Sequence, residues 1–176
     1  MVITLAGTNT KNKRISDFIK SSKFLSTKIE VHYVIIGKFT KDKGLEKYKN
    51  ESPLRNNIHI LGLRTDAISL IKGSDIYVQT SLSEGFGRAI SEAMSVGKPI
   101  IMTDAGGCTE LIDKTCGIIT PIKNPFAIGS AISSLVNNDE LRIQMGINAK
   151  LRMENRYHID DTVEDTHKLY HQLLTS

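Results

Sequence analysis

The stretch "DIYVQTSLSEGFGRAISEAMSVGKPII", residues 75 to 101, decides the fold of this chain. It contains an apolar run, a loop with two glycines, a helical pattern and the start of a second apolar run. Apolar or small residues of the helical part recur at i, i+3, i+4 and i+7, the spacing of a buried helix stripe: Ile90, Ala93, Met94 and Gly97. A strand, a helix and a second strand in this order are typical of a parallel sheet covered by helices.

The rest of the chain repeats this alternation. Short apolar runs recur at residues 2–6, 31–36, 58–61, 75–79, 99–103 and 117–120, and helical patterns lie between most of them. We therefore predict an α/β, Rossmann-like, doubly wound parallel sheet of about six strands with helices on both faces, and a helical C-terminus from about Pro125. The polar residues 40–57 are predicted to form a surface loop with at most a short helix. Ligands of such sheets bind outside the carboxyl ends of the strands.

Composition bounds the class of protein. The 176 residues are 40% hydrophobic and 24% charged, as expected for a single globular domain over residues 1–176. Cys108 and Cys116 exclude a disulfide framework and are interpreted as buried thiols in a reducing compartment. The net charge of +4 comes from scattered cations, which favours a solvated surface over a nucleic-acid site. No stretch is long and apolar enough to span a membrane.

The loop before the central helix combines the features of an anion site. The backbone N–H groups of the first helical turn, near Gly87 to Ile90, are expected to be free, and the helix dipole lies behind them. Gly85 and Gly87 would let a phosphate approach the backbone closely. Glu84 and Glu92 would repel phosphates but would accept hydrogen bonds from hydroxyl groups on either side. A ribose, two phosphates and a hexose have this layout, so the pattern favours a nucleotide sugar.

Each acid also has a simpler interpretation. Glu92 follows Arg88 by four residues, so the two side chains can form an exposed ion pair worth a few tenths of a kcal/mol. Glu84 can be a loop acid that stabilises the start of a helix. The combination of both acids with the glycines and the strand–loop–helix order favours the binding site.

Residues 75–112 strongly resemble the donor-binding domain of retaining GT-B glycosyltransferases, the glycosyl transferase group 1 family. Glu84 and Glu92 are similar to the E-x7-E motif of that family, "EAMSVGKPII" to its helix-to-strand passage, and "DAGGCTELI" to its G-G-x-x-E turn. The likeness extends to "HYVIIGK", "IHILGL" and "LRIQMGINAKLRM", so it covers nearly the whole chain.

The resemblance implies roles for individual residues. Glu84 is the expected catalytic residue, placed beside the donor sugar, and Glu92 is expected to bind the ribose hydroxyls. The base is expected near Leu61 and Gly62. The backbone around the central loop is expected to contact the sugar and the diphosphate through Gly85, Phe86, Gly87, Arg88, Ala89 and Ile90.

The loop after the first strand departs from the family. A G-R…K-G pattern is usual there, and "GTNTKNKR" keeps Gly7 and Lys13 but has Thr8 and Arg14 at the other two positions. The work of the missing arginine is expected to fall on Lys11, Lys13 or Arg14, unless the loop is only a solvated basic segment. No metal and no cofactor are expected, since cationic side chains and a helix N-terminus would stabilise the leaving diphosphate.

The resemblance therefore implies the donor domain of a retaining glycosyltransferase. It would bind a nucleotide diphosphate sugar and transfer a hexosyl or N-acetylhexosaminyl group to a glycan or lipid acceptor. The chain corresponds to the C-terminal half of a GT-B enzyme, so the N-terminal acceptor domain is a missing partner and the isolated domain is expected to be inactive. A noncatalytic nucleotide-sugar-binding subunit and half of a sugar-nucleotide epimerase are the alternatives. The abundance of Lys, Asn and Ile suggests a bacterial protein, and the few cysteines suggest a cytoplasmic one. The family suggests polysaccharide biosynthesis, with peripheral contact of the full-length enzyme at the inner face of the membrane.

Overall fold

A single six-stranded parallel sheet forms the centre of the molecule. The computed structural model describes residues 1–8, 10–38 and 43–175. The strands lie in the order β3-β2-β1-β4-β5-β6, and every neighbouring pair is parallel. Their bounds are β1 Val2–Ala6, β2 His32–Ile36, β3 Ile58–Gly62, β4 Ile76–Gln79, β5 Ile100–Thr103 and β6 Gly117–Thr120. The predicted fold class and all six predicted strands are confirmed.

Eight helices connect the strands and complete the C-terminus in the described part of the chain. They are α1 Thr10–Lys13, α2 Ile15–Ser21, α3 Lys43–Asn50, α4 Ala67–Lys72, α5 Arg88–Ser95, α6 Pro125–Val136, α7 Asp139–Arg156 and α8 Ile159–Thr175. The short helix α3 occupies the stretch predicted as a polar surface loop, whose residues 40–42 lie outside the described residues. No helix within the described ranges is long and apolar enough to cross a bilayer.

Each face of the sheet carries its own apolar core, as a doubly wound sheet requires. Successive side chains of a strand point to opposite faces, so Ile76 and Val78 join one core and Tyr77 joins the other. Helices α2 and α6 cover the first face, and α5 covers the second together with part of α7. Both cysteines are free and buried, as predicted.

The strand order reverses direction at the centre of the sheet. The chain runs outward from β1 to β2 and β3, then returns to β4 on the other side of β1. The connections after β1 and β4 therefore leave in opposite directions, which is the topological switch point where ligands of such sheets bind. The two loops at this point begin with Gly7 and with Thr80.

Candidate functional site

The loops after β1 and β4 are joined by hydrogen bonds at the switch point. Thr80 Oγ1 donates to the Lys13 carbonyl oxygen at 2.7 Å, and the Leu82 amide donates to the Asn12 carbonyl oxygen at 2.8 Å. Asn12 Nδ2 in turn donates to the Ser83 carbonyl oxygen at 2.8 Å. The two loops are thus held as one unit, although about 70 residues of sequence separate them.

Lys13 and Glu84 form an ion pair between these loops. Lys13 Nζ donates to Glu84 Oε1, and the two side chains are only 17% and 13% exposed. The aliphatic part of Lys13 crosses Gly7, where a Cβ atom would lie 3.0 Å from Lys13 Cγ. Glycine at position 7 therefore leaves room for the lysine to reach the β4 loop. The structure brings together three of the predicted site residues here.

Glu84 is fixed by further hydrogen bonds to the same oxygen atom. Ser81 Oγ donates to Glu84 Oε1 at 2.6 Å and Gln79 Nε2 donates to it at 2.9 Å. Burial by itself raises the pKa of Glu84, but the hydrogen bonds from Lys13 and Ser81, the charge of Lys13 and the bond from Gln79 together lower the pKa below its ordinary value. Glu84 is therefore a carboxylate at neutral pH.

The glycines around Glu84 have separate roles. Gly87 has φ of 79°, in the left-handed region, and a Cβ there would lie 2.9 Å from Ile90 Cδ1. A Cβ on Gly107 would lie 2.8 Å from the Gly85 carbonyl oxygen, so the loop after β5 packs closely against the loop after β4. A Cβ on Gly85 would meet nothing within 4 Å. The backbone at Gly85 is therefore open to a ligand.

The start of α5 leaves fewer free amides than the sequence predicted. The Ile90 amide donates to the Gly87 carbonyl oxygen at 2.8 Å, so the prediction that this amide is free is wrong. The cause is a tight i to i+3 bond in the first turn. The Arg88 and Ala89 amides have no hydrogen-bond partner among the described residues. These two remain able to bind an anion at the helix N-terminus.

Glu92 lies on the side of α5 that faces away from the core, as predicted. Its side chain is 35% exposed, and its Oε1 lies 3.8 Å from Nε of the exposed Arg88. The simple ion-pair interpretation is therefore compatible with the structure, and a role in ribose binding stays a prediction. Burial raises the pKa of the Tyr77 phenol, and the charges of Glu84 and Glu92 raise it further.

Phe86 and Cys108 lie beside the glycine loop. The Phe86 ring is exposed and contacts Tyr157 edge to face, with ring centroids 6.2 Å apart. Its side chain therefore connects the loop to the end of α7. Burial, and after it the charge of Glu84, raise the pKa of the Cys108 thiol to about 11, so this cysteine is an inert packing residue at neutral pH.

Leu61 and Gly62 lie at the carboxyl end of β3, on the same edge of the sheet. Leu61 is partly exposed, and Gly62 has φ of 71° and accepts a hydrogen bond from the Gly37 amide at 2.8 Å. Two strand spacings separate β3 from β1, about 10 Å. The base site expected near Leu61 therefore lies on the same edge of the sheet as the loops after β1 and β4.

Arg14, one of the residues expected to replace the missing family arginine, is paired with an acid of the same segment. Its guanidinium binds the buried Asp17 through two hydrogen bonds of 2.9 and 2.8 Å. The bond to Asp17 is also the main reason that the pKa of Arg14 is raised. A role of Arg14 in phosphate binding would require it to leave Asp17 and stays a prediction, whereas Thr8 and Lys11 are exposed. Asn9 of this loop lies outside the described residues.

Sequence reasoning missed Gln79 and Ser81, both buried at the end of β4. The available signal was a glutamine directly after the apolar residues of a central strand, because a buried amide is costly unless it has partners. No group of three potential metal ligands lies together within the described parts of the chain.

The sequence model of the family "Glycosyl transferases group 1" matches residues 1–152. The chain belongs to this family. A group 1 relative from Campylobacter jejuni, N,N'-diacetylbacillosaminyl-diphospho-undecaprenol alpha-1,3-N-acetylgalactosaminyltransferase, is 30% identical over 78% of this chain and 36% of its own length. The capsular polysaccharide biosynthesis glycosyltransferase CapM of Staphylococcus aureus is 26% identical over 98% of this chain and 46% of its own length.

A solved structure has the same fold as this group 1 domain. HepE of Anabaena in complex with UDP-glucose superposes with a TM-score of 0.86 at 23% identity, over 99% of this chain and 49% of that one. This chain spans 36% to 46% of the length of the two curated relatives above.

Proposed function

We propose that this chain binds a nucleotide diphosphate sugar at the β1/β4 switch point, as the donor domain of a retaining glycosyltransferase. One observation carries the proposal. A nearly buried lysine, a fixed carboxylate and two helix amides without a partner among the described residues lie around an open glycine at this point. The transferred group is a hexosyl or N-acetylhexosaminyl unit, and the acceptor is a glycan or a lipid.

Each part of the site has a role in this reaction. The Arg88 and Ala89 amides bind the diphosphate at the positive end of the α5 dipole. Lys13 lies beside Gly7 and turns from Glu84 to the diphosphate, where it stabilises the charge that develops as the sugar departs. Glu84 accepts a hydrogen bond from a sugar hydroxyl and orients the sugar, and Glu92 binds the ribose. These groups supply the charge that a metal supplies elsewhere.

The relatives support the substrate classes. The Campylobacter jejuni enzyme is named for a diphospho-undecaprenol acceptor, and CapM for capsular polysaccharide biosynthesis. The HepE complex contains UDP-glucose, which makes UDP the first nucleotide to test. A lipid-linked acceptor would bring a cytoplasmic enzyme to the inner face of the membrane. Transfer requires the acceptor domain that we expect to precede this one.

Calorimetric titration of the 176-residue chain with UDP, GDP and ADP tests donor binding. We expect one nucleotide to bind, and Glu92→Ala to weaken it by about ten-fold, since one charge-assisted hydrogen bond is lost. The matched control is Glu154→Ala, because Glu154 also pairs with a cation four residues earlier, Lys150, at 3.7 Å. An equal effect of both substitutions, or no binding of any nucleotide at millimolar concentration, would contradict the proposal.

A noncatalytic binding subunit is the second candidate. Two observations favour it: position 8 is Thr8 rather than an arginine, and Arg14 is paired with Asp17. Both leave fewer side chains to donate hydrogen bonds to the diphosphate. Proton NMR of the product made by the complete two-domain protein separates the candidates. A product with the anomeric configuration of the donor supports the retaining transferase, an inverted product contradicts retention, and donor binding without transfer supports the subunit.

A further inference from the structure

A chain of polar side chains runs from the core to Glu84. Tyr77 and Gln79 belong to the central strand β4 and are almost completely buried, at 0% and 2% exposure. Tyr77 Oη donates to Gln79 Oε1 at 2.8 Å. Gln79 Nε2 donates to Ser81 Oγ at 2.9 Å and to Glu84 Oε1 at 2.9 Å. Ser81 Oγ then donates to the same Glu84 oxygen at 2.6 Å.

The charge of Glu84 sets the direction of every hydrogen bond in this series from Tyr77 to Glu84. An ionised carboxylate only accepts, so the amide nitrogen of Gln79 must face it and the amide oxygen must face Tyr77. The Tyr77 hydroxyl therefore gives its single hydrogen to Gln79 rather than to the Ala6 carbonyl oxygen, which lies farther away at 3.3 Å. Both hydrogens of the Gln79 amide are used, and its orientation has no alternative.

Only one oxygen of Glu84 takes part. Lys13, Ser81 and Gln79 all donate to Oε1, and Oε2 has no hydrogen-bond partner within the described residues. The buried donors hold Oε1 from behind, at the core side of the loop. Oε2 is the atom left for a hydroxyl group of a ligand.

We propose that Gln79, oriented by Tyr77, is the positioning residue that keeps Glu84 in place when Lys13 turns to the diphosphate. The inference rests on the proposed function, in which donor phosphates compete with Glu84 for Lys13. Ser81 and Gln79 are buried and cannot follow the ligand, so they keep Glu84 fixed and ionised during this exchange. A buried glutamine is costly unless it is paired, and Gln79 accepts from Tyr77 while its amide nitrogen donates to Ser81 and to Glu84.

The carboxyl titration of Glu84, followed by carbon-13 NMR in the 176-residue chain, tests the positioning directly. We expect Gln79→Met to shift the titration of Glu84 upward and Tyr77→Phe to shift it less, in the same direction. The matched control is Thr120→Val, which removes a buried hydrogen bond of 3.3 Å to the Met102 carbonyl oxygen at another strand end. It should leave the titration unchanged. A wild-type titration in Gln79→Met would overturn the proposal.

The affinities for UDP and UDP-glucose distinguish a positioning role of Gln79 from a general disturbance of the fold. If the chain binds GDP or ADP instead, that nucleotide and its glucose conjugate replace the UDP pair. We expect Gln79→Met to weaken UDP-glucose by about ten-fold and UDP by less than about two-fold, because only the sugar contacts Glu84. Equal weakening of both ligands would overturn the positioning role. If the wild-type chain binds none of these ligands, the proposed function fails, and the carboxyl titration still decides whether Gln79 fixes Glu84.

Discussion

Replacing Lys13 with methionine removes the cation of the central ion pair while keeping most of the side chain. Methionine retains the unbranched atoms that cross Gly7, so the packing of the loop should persist. The carboxylate of Glu84 stays nearly buried and keeps the hydrogen bonds from Ser81 and Gln79. The substitution therefore isolates the contribution of the charge.

The expected loss in the free energy of unfolding lies between two limits. Removing one partner of a fully buried ion pair costs about 3 to 5 kcal/mol, whereas exposed pairs contribute about 0 to 1 kcal/mol. Lys13 and Glu84 are 17% and 13% exposed, and two neutral donors remain. We expect a loss of about 2 kcal/mol at neutral pH, or roughly 4 to 8 °C in Tm for a chain of this size.

The loss should depend on pH. The folded-state pKa of Glu84 is lowered, so its carboxylate contributes stability at neutral pH, and this contribution disappears as the pH falls below the ordinary value of 4.5. Without Lys13, burial raises that folded-state pKa, and the difference between wild type and Lys13→Met should shrink on acidification.

Urea unfolding of both proteins, followed by circular dichroism at about pH 7 and about pH 4, measures this difference. Lys150→Met serves as the control, because it removes an exposed lysine that lies 3.7 Å from Glu154. The control should lose less than about 0.5 kcal/mol. A loss in Lys13→Met that is equally small, or one that is the same at both pH values, would refute the ion pair as described.

Three further predictions concern Gly85, Gly146 and the independence of nucleotide binding from metal ions. Gly85→Ala should change the free energy of unfolding by less than about 0.5 kcal/mol, because its Cβ meets no atom within 4 Å. Calorimetry should nevertheless show UDP binding weakened by about ten-fold. Unchanged binding would contradict a phosphate site at this loop. Gly146→Ala should cost about 3 kcal/mol in urea unfolding, because its Cβ would overlap the Gly97 carbonyl oxygen; a loss below about 1 kcal/mol would show that α7 can shift. Excess EDTA should leave nucleotide binding unchanged, and a loss that Mg²⁺ restores would contradict metal independence.

The strands and the β4–α5 loop were predictable because their signals are local. Apolar runs bounded by polar residues mark the strands, and Gly87 marks a backbone conformation that other residues adopt at a cost. The i to i+3 pair of Arg14 with Asp17 was also readable from the sequence. It shows that a basic residue of a loop can pair with an acid in the first turn of the helix that follows.

The ion pair of Lys13 with Glu84 was not predictable from local pattern. The two residues are 71 positions apart, and only the adjacency of β1 and β4 brings them together. Gln79 was missed for a related reason, since its partners are known only once the loop has folded over the strand end. The sequence pattern of α8 predicted a helix but not which residues pack against it. The described side chains of that helix are all exposed.

Backbone amide chemical shifts of the 176-residue chain on titration with UDP locate the nucleotide. We predict that the largest shift changes fall on the two loops of the switch point, residues 7–14 and 84–92, with smaller ones near Leu61. The groove between the Gly97–Pro99 turn and α7, at the opposite end of the strands, should be unaffected. Shift changes centred on that groove, or absent from both switch-point loops when UDP binds, would contradict nucleotide binding at the switch point.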